Sequence, residues 1–145
     1  MTEEEYEDWT MVQYRMVNDA VNIKDGFIIN IGINFDIIVL PEFNSNQVLF
    51  DCIEALKTYF RIDNWLINQP IVLRDLYILL DKIKGVQTVK IITVSNLVGT
   101  NLGYSPYAYD IGAATIANVV YPSLDPSVFE VKYPNQDIQG RVVNL

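Results

Sequence analysis

The run "FIINIGINFDIIV", Phe27 to Val39, changes character at every second residue. Phe27, Ile29, Ile31, Ile33, Phe35, Ile37 and Val39 fall on one parity, and Asn30, Gly32, Asn34 and Asp36 on the other. Side chains of a strand point alternately to its two faces, so the pattern predicts one buried face and one mostly wet face. The run is far longer than the usual strand of about 5–6 residues. Gly32 is the expected place for a bulge or bend, and Pro41 ends the strand.

Past Pro41 the apolar residues switch to helical spacing. Asn44 can cap a helix over about Asn46–Phe60, with Gln47 three residues on as the return partner of a capping-box variant. Leu49, Cys52, Ile53, Leu56, Tyr59 and Phe60 form its apolar stripe. "WLINQP" is expected as a short edge strand closed by Pro70. A second helix, Leu73–Lys84, carries Leu73, Leu76, Tyr77, Leu80 and Ile83 on its core face and stops at Gly85. "VQTVKIITV", Val86–Val94, returns as a β-branched strand. The expected fold class is therefore α+β: a small mixed sheet with two helices packed on one face. Thr2 with Glu5, and the acidic run Glu3–Glu5, predict an N-terminal helical lead-in over residues 1–26. Residues 1–95 form the expected core domain.

Composition removes several chemistries. The 145 residues carry a net charge of −8, no histidine and one cysteine. Without histidine, Ser-His-Asp and Cys-His catalysis and most zinc sites are excluded. Acidity weighs against nucleic acid as a partner, and no apolar run reaches the ~20 residues needed to cross a bilayer. The acidic N-terminus does not look like a secretory leader, so synthesis in the cytoplasm is expected. Cys52, inside an apolar stripe with no base to activate it, reads as packing. "GTNLG" lacks the Gly-Lys-Ser/Thr of a phosphate loop. Asp110, Asp125 and Asp137 lack the alternation of a calcium loop, and Asp125 before Pro126 reads as a turn. No catalytic residue, metal or cofactor is expected, and the chain is read as a binding or structural protein.

Beyond Ser95 the texture changes. Gly99, Gly103, Pro106, Gly112, Pro122, Pro126, Pro134 and Gly140 interrupt every pattern, and only "VFEVKY" reads as a strand. Residues 96–145 are therefore expected as a long extended arm rich in proline, glycine and tyrosine, built to pack against something. The proposed interface residues are Tyr104, Tyr107, Tyr109, Tyr121, Leu124, Phe129, Val131 and Tyr133. Phe129, Val131 and Tyr133 share one side of the strand, which predicts addition to a partner's sheet edge. Completion of the chain's own sheet is the competing reading.

Three blocks carry a resemblance: "YRMVNDAVNIKDGFIINIGINFDI", "INQPIVLRDLYILLDKIKGVQTVK" and "GYSPYAYDIGAATIANVVYPSLDPSVFEVKYPNQDIQGRV". In that order, over Tyr14 to Val142, they resemble the C-terminal part of baseplate wedge proteins of large contractile-tailed phages, which are similar to the wider baseplate J family. Members are usually several times longer, so the chain corresponds to a C-terminal piece or a short member. The resemblance implies structural work: pairing with copies of itself, as a homodimer or ring, and with other wedge subunits around the tail hub of the virion. It carries over no catalytic residue. The alternative is a carbohydrate-binding tail module, with Tyr104, Tyr107 and Tyr109 stacking on sugar and Asp110 hydrogen-bonding to it.

Overall fold

The computed structural model describes residues 28–123 and 126–144. The period-two run forms β1, Ile28–Val39. Ile29, Ile31, Ile33 and Ile37 lose all contact with solvent, and Phe35 nearly all. The first helix, α1, spans Ser45–Tyr59, and the Asn44 side chain accepts a bond from the Gln47 N–H at 3.1 Å. Gln47 does not return to the cap. Its amide donates forward to Asp51 Oδ1 at 2.9 Å, so half of the expected capping box forms.

After α1 the segment "WLINQP" folds back instead of extending as a strand. Trp65 stacks on Phe60 with ring centroids 5.4 Å apart, and its Nε1–H donates to the Tyr59 carbonyl at 2.9 Å. Asn68 takes a left-handed φ of 65°. Its N–H donates to the Ser127 carbonyl at 2.7 Å, while its Oδ1 accepts from the Ser127 N–H at 3.2 Å. Asparagine tolerates that backbone, and the turn delivers the chain past Pro70 to a two-residue strand, β2, Ile71–Val72. The second helix, α2, is Leu73–Asp81, with Leu76 and Leu80 on its buried face. Gly85 has φ +99°, and a side chain there would press on Val48.

β3, Val86–Asn96, pairs antiparallel with β1. Two register shifts leave Gln87 and Lys90 without an opposite residue on β1, so the strand bends at two bulges. The pairing of β1 with β3 has no bulge at Gly32. Gly32 instead permits close approach, since a Cβ there would sit 3.3 Å from the Asp137 carbonyl and from Leu97. The odd-numbered face of β1 meets Val48, Cys52 and Leu56 of α1 and Leu76 and Leu80 of α2 in one core.

The C-terminal third does not extend away as an arm. The chain passes through a short helix, α3, Ile111–Ala114. It then forms the hairpin β4, Thr115–Ile116, and β5, Val119–Val120. With β2 they make a second, antiparallel sheet in the order β2-β5-β4. "VFEVKY" then splits: β6, Val128–Glu130, pairs parallel with Ile28–Asn30. A single helical turn, α4, Pro134–Asp137, leads to β7, Ile138–Val142, parallel to Ile33–Ile37. Both strands lie on the side of β1 away from β3. The expected boundary at residue 95 thus does not separate the sheet, because strands from either side of it pair with β1. Gly140 lies opposite Phe35, and any side chain there would overlap that ring. The predicted helix over residues 1–26 lies outside the described residues.

Candidate interaction surface

The expected interface residues divide sharply. Phe129 is 1% exposed and Val131 is 6% exposed, both in the core built on β1. They therefore cannot fill a partner's pockets while the sheet is intact, which corrects the expectation of strand addition in trans. The reason is local: β1 offers a second edge that β3 leaves free, and the apolar side of "VFEV" completes the buried face there.

The tyrosines brace that closure. Tyr104 Oη–H donates to Asp137 Oδ1 at 2.7 Å, and Asp137 Oδ2 accepts from the Tyr133 N–H at 3.1 Å. The two rings meet edge to face at 5.5 Å. Burial raises the Tyr104 hydroxyl above the usual phenol range, helped by its bond to the Asp137 carboxylate. Tyr107 stacks on Tyr109 at 6.2 Å, and Tyr109 tilts against Phe129 at 6.4 Å. Tyr109 Oη–H donates to the Tyr121 carbonyl at 2.6 Å, and burial, then Tyr107, raises that hydroxyl too. Asp110 caps α3 by accepting from the Ala113 N–H at 3.0 Å. The Tyr109 hydroxyl proton and one Asp110 carboxylate oxygen are thus engaged within the chain. Leu124 lies outside the described residues, and of the other seven only Tyr121 stands well out into solvent.

Other groups answer to packing. Cys52 is fully buried, and desolvation, reinforced by Asp51, pushes its thiol up to about 12. Its thiolate, the reactive form, is scarce at neutral pH. An open cleft of about 300 Å³ carries Lys57, Arg61 and Lys132 beside Asp63 and Glu130. Asp63 accepts from Arg61 at 3.2 Å and Glu130 from Asn30 at 2.8 Å. Among the described residues no cluster of three or more Cys, Asp or Glu could hold a metal ion, and no helix is long and apolar enough to cross a membrane.

One apolar surface among the described residues is the outer face of the small sheet. Directly opposed residues share a face, so Val72, Val119 and Ile116 form one row and Ile71, Val120 and Thr115 the other. Ile71 and Val120 are buried, whereas Ile116 is 63% exposed. Tyr121, two residues beyond Val119, continues the wet row at 47% exposed. The turn between β4 and β5 places Ala117 at φ 53° and Asn118 at φ 65°, the paired left-handed residues of a tight hairpin. Asparagine and glycine usually take such positions. "AN" gave no warning of the hairpin, and two-residue strands show no period, so sequence reasoning missed Ile116.

Compared with known proteins, the chain matches no family model and no curated protein.

Proposed function

We propose that the chain is a structural subunit of a phage tail baseplate wedge. It associates with copies of itself and with neighbouring wedge subunits to close a ring around the tail hub. It is assembled in the host cytoplasm and resides in the virion. The kind of assembly rests on the three sequence blocks between Tyr14 and Val142 that resemble wedge proteins. Self-association rests on the small-sheet face carrying Ile116 and Tyr121, because apolar surface grouped on one face marks interaction sites. Tyrosine at such a face adds area at low entropy cost, as at binding hot spots.

Light scattering over a series from low to high micromolar tests the reading. The parent is expected to grow in mass with concentration. Ile116→Asp combined with Tyr121→Ser is expected to stay monomeric while keeping a cooperative melt. A parent that remains monomeric at high micromolar overturns self-association. A variant that assembles like the parent shows that the interface lies elsewhere.

A further inference from the structure

β3 forms one boundary of the four-stranded sheet, with β1 as its sole strand partner among the described residues. Backbone groups along such a boundary alternate between the partner strand and the outside. The Ile92 N–H fixes which is which, because it donates to Tyr77 Oη at 3.0 Å rather than to β1. Ile92, Val94 and Asn96 stand opposite Phe35, Ile33 and Ile31 without a register shift. The N–H and C=O groups of Val94 and Asn96 therefore also face away from β1. An outward row of this kind is a template for another strand.

The geometry points to a guarded docking edge: we infer that β3 accepts β3 of a second copy, antiparallel, and that the Tyr77 hydroxyl holds this edge closed. The occupant follows from the strand itself. "VKIITVS" is rich in β-branched residues, has one charge and contains neither proline nor glycine, which is the composition of self-pairing segments. A two-fold axis at Val94 sets Val94 against its copy and Ile92 against Asn96, so that all outward groups can pair. It also holds the two Lys90 side chains apart. In that register the Asn96 carbonyl of the second copy competes with Tyr77 for one donor, the Ile92 N–H. The bulge at Lys90 ends the usable edge on the other side, since bulges and lysines discourage pairing.

The inference concerns a different surface from Ile116 and Tyr121, so the two stand or fall separately. Tyr77→Phe removes the guard and little else. Hydrogen exchange at the Ile92 amide is expected to quicken about tenfold in dilute solution, the loss of one modest hydrogen bond. Sedimentation is expected to show association strengthened about tenfold or more over the parent. Adding Val94→Pro removes one outward donor at a boundary position where proline is tolerated, and it is expected to reverse that gain. Exchange at Ile92 equal to the parent's, a Tyr77→Phe mass series equal to the parent's, or association that survives Val94→Pro would each overturn the inference. Should Tyr77→Phe lose its fold, the parent still decides. Its Val94 amide is expected to gain protection as concentration rises into the millimolar range, and concentration-independent exchange there overturns the inference.

Discussion

Asn30 belongs to the parity expected to be wet, yet it is 1% exposed. Its Oδ1 accepts from the Ser105 N–H at 2.6 Å and its Nδ2 donates to Glu130 at 2.8 Å. Its carbonyl accepts from the Leu97 N–H and from Asn96 Nδ2. One short side chain thus ties β1 to the loop after β3 and to β6. Asn30→Ala removes the side-chain oxygen that accepts from the buried Ser105 N–H, and a loss of about 1–3 kcal/mol in urea unfolding is expected. A variant within a few tenths of the parent would mean that the 97–105 loop moves aside freely. A polar residue in an alternating strand ordinarily faces water, and its partner here lies 75 positions away. Nothing local in "INIG" announces it.

At the scale of elements, long periodic segments were readable and short non-local ones were not. β1, α1, α2 and β3 each bury one face along a sustained period, so their identity is written locally. β6 and β7 are short, interrupted by Tyr133 and Pro134, and stabilised by an edge of β1 fixed about a hundred residues earlier. Phe129→Ala measures how far the core depends on them. A loss of roughly 3–5 kcal/mol is expected in denaturant unfolding, and a loss below 1 kcal/mol would place Phe129 outside the cooperative core. β7 carries a second, milder fastening. Arg141 grips Asp36, its opposite residue on β1, through two bonds of 3.0 and 3.1 Å. The bond from Arg141 holds the Asp36 carboxyl below its ordinary 3.8, against some desolvation. A depressed carboxyl stabilises the fold above the unfolded value and loses that contribution as pH falls through the folded one. Amides of β7 are therefore expected to lose protection below about pH 4. Asp36→Asn should remove that acid step, and an identical profile in the variant would assign the step to another carboxyl.

For the whole molecule, charge sets the terms of assembly. A net charge of −8 makes any two copies repel, and salt shortens the range of that repulsion to about 8 Å at physiological ionic strength. Association through an apolar face should therefore tighten as sodium chloride rises from low to physiological concentration. The measurement is the midpoint of the light-scattering series. Weakening with salt would point to charge pairs instead of the Ile116–Tyr121 face.

The pairing of β1 with β7 also governs when the sheet can close during synthesis. Asp36 and Arg141 are 105 positions apart. At translation rates of about 5–20 residues per second, the newborn β1 waits roughly 5–20 s for its last neighbour. Until β6 emerges near the end of that interval, the isoleucine-lined second edge of β1 has no native mate. The nascent chain is thus a natural client for chaperones, and its yield should fall when they are depleted.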